Sequence, residues 1–171
     1  MTRDGAIAAA GAAFAIGLGA ALDARFVAPY APILERVAIS GSPLAPAGEL
    51  RIGFVTDTHI GPMISAANVR RALDLLLPAS PDILLFGGDY ICESPRYAEE
   101  AADLLGDAAR QAPLGGFAVL GNHDISNDAK RITAQLERNG IAVLRNESAL
   151  VTTANCALWI VGIDDAILGT P

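Results

Sequence analysis

Three short polar clusters, each closing an apolar run of strand length, constrain this chain more than any other feature. Leu50 to Thr56 runs into Asp57, Thr58 and His59, and Ile83 to Phe86 runs into Gly87, Gly88 and Asp89. Phe117 to Leu120 runs into Gly121, Asn122, His123 and Asp124. The clusters follow one another at intervals of roughly 30 residues, the length of one strand–helix–strand repeat. The segments between them are patterned as helices. Ser65 precedes an apolar face of Val69, Ala72, Leu73, Leu76 and Leu77 that Pro78 ends, and Ser94 with Pro95 opens a helix to about Arg110. A further helix is expected from about Asp128 to Asn139, closed by Gly140. Ile141 to Leu144 reads as a fourth strand, and Leu150 to Thr153 with Ala157 to Val161 as a hairpin around Ala154 and Asn155.

This rhythm implies an α/β domain whose strands pair in parallel through right-handed crossovers. Such a sheet binds ligands beyond the carboxyl ends of its strands, so the three clusters should meet at one rim. Carboxylate, imidazole and amide oxygen suit a hard or borderline divalent cation. Gly61, Gly87, Gly88 and Gly121 allow sharp turns and close backbone approach. Singly, each cluster has a plain alternative: Asp-x-His arises by chance, Gly-Asp marks a turn, and Gly-Asn-His-Asp makes a loop. Together their order, spacing and strand-end placement agree, and both histidines of the chain, His59 and His123, fall inside them. That conjunction points to a metal site.

Composition removes several other classes. A chain of 171 residues that is 52% hydrophobic is not disordered. With 12 Lys and Arg against 19 Asp and Glu, a net charge of −7 and no basic block, no specific nucleic-acid binding is expected. Two cysteines, Cys92 and Cys156, exclude a disulfide-rich scaffold and a cysteine-based zinc cluster. Cys92 reads as a small packed thiol, too soft for manganese or magnesium.

The amino terminus differs in kind. Gly5 to Leu22 carries no charge, and as a helix it would span roughly 27 Å, close to the roughly 30 Å hydrocarbon core of a bilayer. Residues 1–23 are therefore expected to form a transmembrane anchor or a signal peptide, giving contact with a membrane. Arg3 and the free amino group favour an inside start, which would put the remainder on the extracytoplasmic side, periplasmic or at the cell surface. Residues 24–49 are punctuated by Pro29, Pro32, Pro43 and Pro46 and read as a connector with a short strand at Ile33 to Ser40.

Asp57-Thr58-His59, Gly88-Asp89 and Gly121-Asn122-His123-Asp124 resemble the successive motifs of the calcineurin-like metallophosphoesterases, and the apolar start is similar to their membrane-associated bacterial branch. The resemblance implies a two-sheet sandwich flanked by helices, of which residues 50–171 would be the first part. It implies two divalent metal ions (Mn, Fe, Zn or Mg), with Asp57 and His59 on the first, Asp89 bridging both, and Asn122 on the second through its amide oxygen. His123 would protonate the leaving oxygen, and Asp124, by adjacency, would orient that imidazole. The implied activity is hydrolysis of a phosphate ester or pyrophosphate by attack of metal-bound hydroxide on a phosphorylated small-molecule or lipid substrate. Some members of that branch hydrolyse the pyrophosphate of UDP-2,3-diacylglucosamine, so a UDP-sugar-lipid is among the substrates implied.

The family completes its site with further histidines, and none follows His123 here. The expectation is an amino-terminal portion of a longer enzyme, with little turnover from these residues alone. The alternative is a non-catalytic metal- or phosphate-binding membrane protein. Asp164 and Asp165 are expected in a polar loop and are not assigned as ligands.

Overall fold

A computed structural model describes residues 3–40, 49–153 and 157–170. The chain divides into two units, Met1–Ile33 and Leu34–Pro171. The first contains helix α1, Arg3–Phe26, followed by a short 3-10 turn at Ala28–Tyr30. Phe14, Ile16, Leu18 and Leu22 of α1 are exposed. Among the described residues no helix is long and apolar enough to cross a membrane. The transmembrane expectation for residues 1–23 is therefore not met there, although a helix stands in the expected place. Its apolar character comes mostly from Ala and Gly, whose small side chains contribute little apolar area. The expected strand at Ile33–Ser40 also fails to form. Ile33, Val37 and Ile39 are exposed and the backbone forms no ladder among the described residues, and an extended segment without a ladder is not a strand.

The second unit is built on four parallel strands: β1 Ile52–Val55, β2 Ile83–Phe86, β3 Gly116–Ala118 and β4 Ile141–Val143, in the spatial order β1-β2-β3-β4. Their last residues are in register, Val55 beside Phe86, Phe86 beside Ala118 and Ala118 beside Val143. Every loop that leaves a carboxyl end therefore starts at the same rim.

Three helices connect the strands: α2 Ala66–Leu76, α3 Ala98–Ala109 and α4 Asn122–Arg138. Alanines at helical spacing on α3 (Ala98, Ala101, Ala102, Ala108 and Ala109) are buried, and their small size lets the helix lie close to the sheet. They join Leu84, Phe86, Leu105, Ile132, Leu136 and Ile141 in one hydrophobic core.

Helix α4 begins earlier than its sequence pattern suggests. Asp124, three residues into the first turn, accepts the Gly121 N–H at 3.0 Å and nucleates a turn within what reads as a loop. The expected start at Asp128 survives as a kink. There the backbone leaves the helical region (φ −169°, ψ 83°) and the Asp128 carboxylate accepts the Arg131 N–H at 3.1 Å, restarting the helix.

Strands β5 Glu147–Thr152 and β6 Ala157–Gly162 form a separate antiparallel pair with Leu150 opposite Trp159. The hairpin tip expected at Ala154 and Asn155, and Cys156 with it, lies outside the described residues. Between β6 and the second face of the parallel sheet runs a groove of about 160 Å³ lined by Phe54, Leu85, Phe117, Leu144, Ile160 and Val161. The α/β class with a parallel sheet holds. Of the sandwich expected from the resemblance, the described residues show the four-stranded sheet and this two-stranded one.

Candidate metal centre

The loop after β1 and the loop after β2 are laced together by their backbones. Asp57 N–H donates to Gly88 (3.0 Å), His59 N–H to Asp89 (2.9 Å), Ile60 N–H to Tyr90 (2.9 Å), and Cys92 N–H returns to Ile60 (3.0 Å). This ribbon continues the parallel pairing past the strand ends in a tighter form. To follow it, Asp57, His59 and Asp89 adopt positive φ of 55°, 44° and 55°. Such angles are uncommon outside glycine and cost of order 1 kcal/mol each. The chain accepts that cost at the three residues whose side chains must converge.

They do converge. His59 Nε2 lies 3.6 Å from Asp57 Oδ1 and 3.7 Å from Asp89 Oδ2, and ligand atoms of the three side chains all fall within 4.8 Å of one another. These separations are too long for hydrogen bonds and short enough for one cation to be shared. Asp89 Oδ1 accepts the backbone N–H of His123 at 2.9 Å, which holds the carboxylate against the start of α4. The His123 ring stands perpendicular to that of His59, with centroids 4.8 Å apart. Asn122 is the exposed first residue of α4, next to His123.

Two glycines make this approach possible. Gly88 has φ of 96°, and a Cβ there would meet the Gly121 nitrogen at 2.5 Å. A Cβ on Gly121 would fall 2.1 Å from Asp89 Oδ1. The third loop can close on the second only because neither residue carries a side chain.

Asp124 has a different place from the one adjacency suggests. It is fully buried, and its carboxylate accepts N–H bonds from Asp89 (2.7 Å), Tyr90 (3.0 Å) and Gly121 (3.0 Å). Both oxygens are thus engaged by backbone, so the carboxylate fastens the second loop to the third instead of holding the His123 ring. Burial pushes its pKa up to about 6, against the three N–H bonds that pull it down. Beneath it Tyr90 is buried, with its hydroxyl 2.6 Å from the Val119 carbonyl and 3.0 Å from that of Phe86, and burial raises the phenol well above its ordinary pKa. Tyr90 is therefore a packing residue and does not line a cleft.

Among the described residues, no Lys or Arg forms an ion pair with Asp57, Asp89 or Asp124. A rim with the carboxylates of Asp57 and Asp89, two imidazoles and no paired Lys or Arg among the described residues has the donor chemistry for divalent metal. The matching family model, that of the calcineurin-like phosphoesterases, spans residues 50–162. The chain belongs to this family. It is 31% identical over 133 residues to an uncharacterized metallophosphoesterase of Aquifex aeolicus, covering 78% of this chain and 49% of that protein. It is 30% identical over 127 residues to the phosphodiesterase YaeI of Escherichia coli, covering 72% and 46% respectively. Over 83 residues it is 35% identical to the UDP-2,3-diacylglucosamine pyrophosphatase LpxG of Chlamydia trachomatis, covering 48% of this chain and 25% of that one. The chain thus spans about half the length of the first two relatives.

The phosphoesterase rim also holds a residue that the sequence pattern reads as a small packed thiol. Cys92, half-buried, brings its Sγ within 4.8 Å of ligand atoms of both His59 and His123. The available signal was its position three residues after Asp89, in the same rim loop. Asp164 behaves as expected of a loop residue. It accepts from Arg145 Nε (2.8 Å) and from the Thr170 N–H (2.7 Å), and these bonds hold its pKa below the ordinary carboxylate value.

Proposed function

We propose that this protein is a divalent-metal-dependent hydrolase of phosphate-ester or pyrophosphate bonds. The observation that carries the reading is the convergence of Asp57, His59 and Asp89 on a rim whose carboxylates pair with no Lys or Arg among the described residues. Bound metal would supply an acidified water and neutralise charge on the phosphate oxygens. Asp57, His59, Asp89 and Asn122 would hold that metal, two ions in the family pattern. His123, beside His59 at the amino terminus of α4, delivers a proton to the leaving oxygen. Asp124 keeps the second and third loops in register and so fixes Asp89 relative to His123.

The substrate class we favour is a lipid-linked pyrophosphate. It is supported by the likeness to LpxG, named for its action on UDP-2,3-diacylglucosamine, and by the apolar side chains exposed along α1. The same side chains support association with a membrane, and the inside start favoured by Arg3 would put the phosphoesterase domain on its extracytoplasmic side. The test is manganese-stimulated hydrolysis of bis(p-nitrophenyl) phosphate and of a UDP-diacylglucosamine by the protein and its Asp89→Asn variant. The reading expects metal-stimulated turnover in the first, small as it is from these residues alone, and none in the second. Metal binding without any hydrolysis would favour a non-catalytic binding protein, and equal activity in both would contradict the role of Asp89.

A further inference from the structure

Within the rim, His59 belongs to two convergent groups. One is the carboxylate set of Asp57, His59 and Asp89, and the other consists of His59, Cys92 and His123. In each, the ligand atoms lie within 4.8 Å of one another. The two sets differ in chemistry. Oxygen donors suit manganese and magnesium, whereas two imidazoles and a thiolate form a set that zinc or cobalt prefers. A tetrahedral zinc, with bonds of about 2.0 Å to nitrogen and 2.3 Å to sulfur, spaces its ligand atoms roughly 3.5 Å apart. Closing the second set therefore needs movements of roughly 1 Å, within the reach of side-chain rotation.

The position of Cys92 is fixed by the fold. Its N–H donates to Ile60 at 3.0 Å, in the ribbon that also positions His59. Ile60 and Ile91 on either side are buried, so the backbone carrying the thiol is anchored in the core. His123 is placed from the other side by the bond from its N–H to Asp89. Three separate loops thus deliver one donor each to the same point.

We infer that Cys92, with His59 and His123, forms a thiolate-containing site for zinc or cobalt that shares His59 with the carboxylate set. On binding, a metal–sulfur bond replaces the S–H bond and the thiol proton leaves to solvent. The inference rests on the metal-site reading above and adds a selectivity to it. Zinc-group ions engage the thiolate set, while manganese engages the oxygen set. A zinc ion held by His123 also takes away the imidazole proposed as proton donor, so zinc occupies this site at the expense of hydrolysis.

Titration of the protein with cobalt(II), read by absorption, tests this directly. The expected result is a near-ultraviolet thiolate-to-cobalt charge-transfer band in the wild type that is lost in Cys92→Ser and in Cys92→Ala. Zinc affinity should fall at least about 10-fold in both variants, with manganese affinity changed less than about 2-fold. Cobalt binding without that band, or unchanged zinc affinity in both variants, overturns the thiolate site and leaves the carboxylate reading standing. Failure of the wild type to bind manganese, zinc or cobalt overturns both.

Discussion

Two aspartates sit buried in the second unit, and each gathers backbone N–H groups from the loop it holds. Asp124 fastens the rim loops through Asp89, Tyr90 and Gly121. Asp164 fastens the loop after β6 through Thr170 and Asp165. They differ in one partner. Asp164 has the guanidinium of Arg145 at 2.8 Å, which adds to the Thr170 N–H in lowering its pKa, whereas Asp124 pairs with no Lys or Arg among the described residues and burial raises its pKa to about 6. The loop that only needs to be held has its counter-charge built in. The rim, with Asp57 and Asp89 added to Asp124, leaves that positive charge to be supplied from outside.

The largest effect should come from removing a carboxylate of the rim. Asp89→Asn is expected to weaken manganese binding by at least about 100-fold in an equilibrium titration, and Asp164→Asn to leave it unchanged. Equal losses in the two variants would erase the distinction between the regions. Next comes the close approach of the loops. Gly88→Ala forces a Cβ to 2.5 Å from the Gly121 nitrogen at a positive φ, and urea melts should show a loss of about 2 kcal/mol. Tyr90→Phe, which removes the hydroxyl from the Val119 and Phe86 carbonyls, should cost about 1 kcal/mol in the same measurement.

The finest test is the sign of the pH dependence. An acid whose folded pKa is raised stabilises most in its protonated form. The Asp124 contribution to the metal-free protein is therefore full below pH 3.8 and is lost as pH rises through about 6. Asp164, with its pKa lowered, contributes above the ordinary carboxylate value, and that contribution is lost as pH falls through its own. Stability against pH, followed by chemical denaturation, should lose the first slope in Asp124→Asn and the second in Asp164→Asn. Retention of both slopes would show that neither charge difference matters to folding.

Much of this was legible in the chain. The runs Ile83 to Phe86 and Ile141 to Leu144 declared parallel strands because a doubly covered strand has no polar alternation. The roughly 30-residue spacing then put Asp57, Asp89 and Asn122 on one rim. What stayed hidden depended on contacts across loops. Asp124 reads as the neighbour of His123, yet helical geometry turns adjacent side chains to different faces, and its partners are N–H groups that no sequence displays. The early start of α4 follows from the same carboxylate. Cys92 reads as a packed thiol because its meeting with two histidines arises from the ribbon pairing of Ile60 with Ile91, not from any spacing motif. At the amino terminus apolar composition predicted a transmembrane anchor or a signal peptide, and the described residues hold no helix long and apolar enough to cross a membrane.

Calorimetric titration of the protein with manganese chloride, alongside Asp57→Asn and Asp89→Asn, addresses the rim most directly. Saturable binding in the wild type that each substitution weakens at least about 100-fold is the expected result. Absence of binding in the wild type, or binding that both variants retain, would contradict a metal centre at Asp57, His59 and Asp89.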